Sequence, residues 1–150
     1  HTNIDKFSQD IIISQIETLL NYSKRFYERQ FITRKISSHQ VLSRLEQLLE
    51  SYFNSGDAAI KGLPSVQFIA DSLHISAGYL SGLLKTITGK STQEHIHEKL
   101  IEKAKLQLST TPLSVSEIAY ALGFEHVQSF HKLFKSKTRQ SPLAFRASFN

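Results

Sequence analysis

The segment Ile69-Ala70-Asp71-Ser72-Leu73-His74-Ile75 returns 49 residues later as Ile118-Ala119-Tyr120-Ala121-Leu122-Gly123-Phe124. Each copy runs into a further amphipathic stretch. Its apolar side carries Leu80, Leu83, Leu84 and Ile87 in the first copy and Phe130, Leu133 and Phe134 in the second, where one extra residue moves the offset to 50. A single Ile-Ala-x-x-Leu needs no explanation beyond core packing. Two copies at matched positions, each followed by the same kind of helix, point to two similar units of helix, turn and helix. The residue types have local reasons: Ala70 and Ala119 are small where two helices cross closely, and Gly123 supplies a positive φ at little cost where the chain reverses. His74 stands where the first copy needs that glycine, and His tolerates a left-handed turn better than most side chains.

Helical periodicity and boundary signals extend this reading over the second half of the chain. Helices are predicted at about 65–73, 77–88, 92–109, 115–122, 127–137 and 142–148. Ser91-Thr-Gln-Glu94 and Ser114-Val-Ser-Glu117 both fit the capping box, and Ser141-Pro142 places proline at a first helical position. Thr110-Thr-Pro112 ends the long helix, because proline biases the residue before it away from helical angles. No stretch reads as a strand, so the predicted class is all-α.

Upstream, residues 10–31 and 38–53 are predicted as two amphipathic helices forming a hairpin, with Ser8 or Asp10 as a first cap. Residues 54–64, which combine Gly, Asp and Pro with little periodicity, are expected to link this first region, 1–53, to a second domain at 65–150. The hairpin's apolar face, with Leu19, Leu45 and Leu49, suits dimerisation; packing within the chain, or onto something preceding it, suits the same residues equally. The run Lys24-Arg-Phe-Tyr-Glu-Arg-Gln-Phe31 reads as an ordinary helix whose arginines snorkel.

Composition narrows the function classes. With no Cys, disulfide frameworks, cysteine nucleophiles and thiolate metal sites are excluded, and a reducing compartment such as the cytoplasm is the expectation. No apolar run approaches the ~20 residues that span a bilayer, and no signal-peptide pattern occurs, so no membrane partner is expected. The absence of Met, with His1 at the start, points to a piece of something longer. Of the +5 net charge, +4 lies beyond residue 61, and after Glu125 the chain has Lys132, Lys135, Lys137, Arg139 and Arg146 with no acid. A basic face there suits a polyanion.

The spacing from the repeated alanine to each second helix fits a reader of duplex DNA whose second helix enters the major groove. From Leu63 to about Phe149 the chain resembles the DNA-binding domain of the AraC/XylS family. The resemblance rests on Ile118-Ala119-x-x-Leu122-Gly123-Phe124, then Ser129-Phe130-x-x-x-Phe134-Lys135, then Ser141-Pro142-x-x-Phe145-Arg146. Arg139 stands where that family usually has glycine, Lys132 where arginine is common and Phe145 where tyrosine is common. The resemblance implies a helix-turn-helix unit at about 65–88, a linker helix at 92–109, a second unit at about 115–139 and a final helix. It further implies a bacterial transcription regulator, read as an activator, whose partners are double-stranded promoter DNA, RNA polymerase and a second copy in a homodimer, with no cofactor.

In the second unit the stripe opposite the apolar face is Gln128, His131, Lys132 and Lys135. Gln suits bidentate contact with adenine and Lys suits guanine O6 and N7, so Gln128, His131 and Lys132 are expected to read bases. Ser129, Lys135, Lys137, Arg139 and Arg146 are expected to meet phosphate. The matching stripe of the first unit is Gly78, Ser81, Gly82 and Lys85. Its two glycines remove reading side chains, leaving Ser81 for bases and Tyr79, Lys85 and Lys90 for the backbone. A helical protein-interaction module and a weakly specific DNA binder are the alternatives. An enzyme is not expected: His95 and His97 fall on different helix faces, and neither His-Glu-x-x-His nor a glycine-rich phosphate loop occurs.

Overall fold

Serine hydroxyls start five of the helices. Ser65, Ser76 and Ser141 accept hydrogen bonds from the backbone N–H of Phe68, Tyr79 and Ala144 at 3.0, 3.1 and 3.1 Å. Ser91 and Ser114 complete capping boxes, with Glu94 and Glu117 accepting from the serine N–H groups at 2.7 and 3.0 Å. The computed structural model describes the backbone of residues 6–149, and the side chains within it except those of residues 30–37. Its elements are α1 (Lys6–Asn54), α2 (Asp57–Lys61), α3 (Val66–Ser72), α4 (Ala77–Thr88), α5 (Thr92–Thr110), α6 (Val115–Ala121), α7 (Val127–Thr138) and α8 (Pro142–Ala147). Among the described residues there is no strand, and the class is all-α.

The upstream hairpin is corrected. In place of two helices the backbone forms one, α1, through residues 31–38, where the sequence offers neither Gly nor Pro to stop it. The short α2 went unseen in the sequence because five residues cannot display a helical period. It is bounded by Gly56 and Gly62, both at φ 84°.

Contacts divide the chain into two units, His1–Gln40 and Val41–Asn150. In the described part of the first, the apolar side chains of α1 are exposed. The second has two cores. Leu45 and Leu49 of α1 are buried with Ile69 and Ala70 of α3, Leu80 and Leu84 of α4 and Ile96 of α5. The later half of α5, with Leu100, Ala104 and Leu108, joins Ile118 and Ala119 of α6 and Phe130 and Phe134 of α7. Phe53 packs against both cores. The repeated alanines, each 0% exposed, sit at these helix crossings.

The two turns solve one geometric problem differently. His74 adopts φ 58° and is exposed, whereas Gly123 adopts φ 98° and is buried. A Cβ on Gly123 would stand 2.7 Å from the carbonyl carbon of Gly62, 2.9 Å from Ala58 O and 2.9 Å from Leu63 N. All three are backbone atoms that cannot step aside. The backbone around α2 is therefore pressed against the second turn, where only glycine fits, while the first turn has room for an imidazole. Tyr52 holds this contact by donating its hydroxyl to Gly62 O at 2.7 Å.

An ion cluster fixes α1 to α5. Glu50 accepts from Lys99 at 3.0 Å and from Lys103, while Asn54 donates to Glu50 at 2.9 Å and accepts from Lys103 at 3.0 Å. The bonds from Lys103, Lys99 and Asn54 bring the Glu50 pKa down to about 2.

Gly123→Ala is expected to destabilise the fold strongly, through clash and left-handed strain. Gly82→Ala, whose Cβ meets nothing within 4 Å, is expected to raise stability by ~1 kcal/mol; denaturant titration of both variants checks the pair. Because Glu50 is more acidic folded than unfolded, its stabilisation is complete above the ordinary carboxylate range and fades as pH falls toward about 2. Glu50→Gln is therefore expected to flatten the acid limb of the stability profile, read as Tm between pH 6 and pH 2.

Candidate nucleic-acid interface

The helix α7 is held from below by aromatic rings. Phe124 meets Phe130 at 5.4 Å between centroids, Phe130 meets Phe134 at 5.7 Å, and Phe134 meets Phe145 of α8 at 5.6 Å. With Phe130 and Phe134 fully buried, the rotation of α7 is fixed, and Gln128, Ser129, Lys132, Lys135 and Ser136 are exposed. None of the five is acidic. Its N-terminus has no side-chain cap, since His126 makes no capping bond.

His131 and Ser81 differ from their predicted places. His131 is half-buried with its ring edge-on to Phe130, and Ser81, its counterpart 50 residues earlier, is half-buried with its hydroxyl 3.3 Å from the buried Thr92 hydroxyl. Both lie on the rim of the exposed face, because a residue at this helical position leans toward the core stripe. The exposed face of α4 is instead Gly78, Tyr79, Gly82, Lys85 and Thr86. Thr86 escaped the sequence reading; its match to Ser136 at the same offset of 50 was the available signal. Tyr79, 50% exposed, is the one aromatic side chain on this face.

The predicted phosphate contacts divide into two groups. Lys85, Lys135 and Arg139 are exposed. Arg139 caps α7 at φ 63° and so takes a left-handed position that glycine would occupy without strain. Lys90 is paired with Glu98 of α5 at 2.7 Å, both about half exposed, a pair worth at most ~1 kcal/mol that a phosphate can replace. Lys137 lines a shallow cleft with Glu98, Ile101, Glu102 and Lys105. Its charge, added to the larger effect of burial, lowers the pKa of His97. Arg146 is half-buried and donates to Leu108 O at 3.0 Å and Thr111 O at 3.4 Å. There it satisfies carbonyls at the end of α5.

The predicted dimer residues divide as well. Leu45 and Leu49, at 0% and 2% exposure, are committed to the core shared with α3 and α4, whereas Leu19 is 67% exposed. Sequence spacing is the same in both halves of α1, so it gave no means of telling covered positions from open ones. Among the described residues, no cluster of His, Asp or Glu is grouped to hold a metal ion, and no helix is long and apolar enough to cross a membrane.

Two helix-turn-helix units facing outward from one linker helix are a specific arrangement, and a family model described as a helix-turn-helix domain matches residues 69–148. The chain belongs to the AraC-type helix-turn-helix family. The HTH-type transcriptional regulator YfiF of Bacillus subtilis is 30% identical over 147 residues, covering 97% of this chain and 43% of that protein. The regulator YijO of Escherichia coli is 29% identical over 114 residues, covering 76% of this chain and 40% of that protein. The chain thus spans less than half the length of either curated relative. The solved C-terminal domain of the two-component response regulator yesN from Fusobacterium nucleatum is 32% identical, with a TM-score of 0.59 over 73% of this chain and 97% of that one. The AdpA DNA-binding domain, solved with a target DNA, shares the AraC-type fold at 20% identity and a TM-score of 0.59, over 70% of this chain and 91% of that one.

The two arginines of this AraC-type domain should separate by experiment. Arg139→Gly is expected to raise stability by ~1 kcal/mol on release of left-handed strain. Arg146→Ala is expected to lower it by ~1–3 kcal/mol, because carbonyls at the end of α5 lose their donor. Urea unfolding of the two variants measures both.

Proposed function

We propose that the chain is the DNA-binding part of a sequence-specific bacterial transcription regulator, acting in the cytoplasm and reading promoter DNA mainly through α7. The observation that carries this reading is the acid-free face of Gln128, Ser129, Lys132 and Lys135, on a helix locked in rotation by the rings beneath it. Gln128 and Lys132 are placed for base edges, with His131 at the rim, and Ser129, Lys135 and Arg139 for phosphates. In the first unit Tyr79 and Lys85 grip the backbone, joined by Lys90 when it leaves Glu98. Ser81 contributes little, since its hydroxyl is occupied with Thr92.

In this reading the protein partners are RNA polymerase, through which the regulator activates, and a second copy of the chain. Transcription from a selected promoter with purified polymerase separates activation from repression. The rival, a protein-interaction module, predicts binding that is indifferent to salt. Selection from a random duplex pool, followed by titration between ~50 and ~200 mM salt, is expected to show affinity falling by orders of magnitude. Lys132→Ala is expected to cost ~1–3 kcal/mol of binding and relax specificity at one position. Ser81→Ala is expected to leave the selected sequence unchanged. A flat salt response, or no enriched sequence, would overturn the proposal.

A further inference from the structure

Lys90 is placed by the turn that carries it. Gly89 ends α4 in the left-handed region at φ 75°, Lys90 N–H donates to Thr88 Oγ1 at 3.2 Å, and Ser91 starts α5 with a capping box. The backbone at residue 90 is thereby fixed between two helices, and the long side chain is what can move. Its ammonium meets the Glu98 carboxylate of α5 at 2.7 Å, the short distance of a charge-assisted bond. Three acids, Glu94, Glu98 and Glu102, follow one another at four-residue spacing along α5, and their occupations differ. Glu94 accepts from the Ser91 N–H in the capping box, and Glu102 meets Lys99 at 3.2 Å. Glu98 alone of the three pairs with a lysine read as a phosphate contact. It also lines the cleft that holds Lys105 of α5 and Lys137 of α7, so it borders both recognition helices at their C-terminal ends.

A carboxylate offers an ammonium what a phosphate offers, a pair of anionic oxygens that accept short, charged hydrogen bonds. Building on duplex binding as the function, we infer that Glu98 is an internal stand-in for a DNA phosphate, which holds Lys90 neutralised in the free protein and must be displaced before the first helix-turn-helix unit closes on the backbone. The consequence is a difference in ion exchange. A bare lysine that meets a phosphate releases close to one counterion from the duplex, ~0.9 on the logarithmic salt slope. Lys90 arrives already neutralised, and its transfer to a phosphate leaves the Glu98 charge beside the polyanion. The exchange delivers no net positive charge. Glu98 thus holds down both the affinity and the salt sensitivity of the first helix-turn-helix unit, while the face of α7 is untouched.

The test is titration of the duplex recovered by selection with the whole chain, from ~50 to ~200 mM salt. Glu98→Gln, which keeps the shape and removes the charge, is expected to bind about 5-fold more tightly at the lower salt. Its salt slope is expected to steepen by ~0.9, so that the advantage shrinks ~3.5-fold across the range. With Lys90→Ala in place, the same Glu98→Gln is expected to gain less than ~2-fold, since no lysine is freed. Glu102→Gln removes an equal charge one turn further on, and it too is expected to change affinity by less than ~2-fold. All three side chains are exposed, and cooperative thermal unfolding of each variant checks that the fold is kept. A Glu98→Gln chain that binds and responds to salt like the parent overturns the inference, as does a gain equally large with Lys90→Ala in place or reproduced by Glu102→Gln. A parent chain with no salt-dependent binding to any duplex overturns the DNA-binding reading as well, whereas a steep parent slope with no effect of Glu98 overturns this inference alone.

Discussion

Everything in the second unit depends on how the last turns of α1 are held. Leu45 and Leu49 fill the first core, at ~1.5–3 kcal/mol for each buried side chain, while Phe53 reaches both cores. One turn away, Tyr52 bonds Gly62, and the backbone at Gly62 presses on Gly123 in the second turn. Glu50 meanwhile bonds two lysines of α5. Burial at Lys99 works against its charge, but the bonds to Glu50 and Glu102 outweigh that and raise its pKa. Within fewer than fifteen residues α1 therefore packs on the first helix-turn-helix unit, bonds the linker helix and, through Tyr52 and Gly62, braces the backbone that meets the turn of the second. Helices that a fold diagram would draw as two independent readers are fixed against a common element.

That fixation gives the asymmetry of the two faces its meaning. If α4 were free to move, bare glycines there would matter little, since the unit could settle wherever phosphates led it. Held as it is, α4 presents Gly78 and Gly82 at fixed places, and a Cβ at either would meet nothing within 4 Å. Neither packing nor backbone geometry in the protein asks for glycine, and each costs ~1 kcal/mol of helix stability relative to alanine. Their effect falls on the outer surface, where they leave Tyr79 standing above a smooth helix.

How much of this was legible in the sequence followed the length and locality of each signal. Serine caps and the Ile-Ala-x-x-Leu repeat act over a few residues, so the boundaries of α3 to α8 came within about two residues of those observed, and α4 matched at both ends. The continuity of α1 was missed because a hairpin was inferred from two apolar faces, when the stronger fact was the lack of any breaker between them. The charge of Arg146 is visible in the sequence, whereas the carbonyls it meets at Leu108 and Thr111 are 38 and 35 residues away. The side-chain face of Ser81 and His131 was misjudged by a fraction of a helical turn, which only the packing of Leu80 and Phe130 beneath them decides.

The linker helix α5 has 19 residues, hence a length of ~28 Å against the ~34 Å of one DNA turn. Where the two recognition helices are held less than one turn apart, entry into successive grooves bends the duplex toward the protein, at ~1–6 kcal/mol, and that cost needs contacts to offset it. On α7, bidentate base contacts of ~1–3 kcal/mol each are within reach of Gln128 and Lys132. On α4 the glycines exclude such contacts, and what remains is Tyr79, Lys85 and a Lys90 that must first leave Glu98. Under the proposed function, engagement of the first helix-turn-helix unit turns on how readily a given duplex bends, with α7 selecting the bases and α4 selecting for deformability.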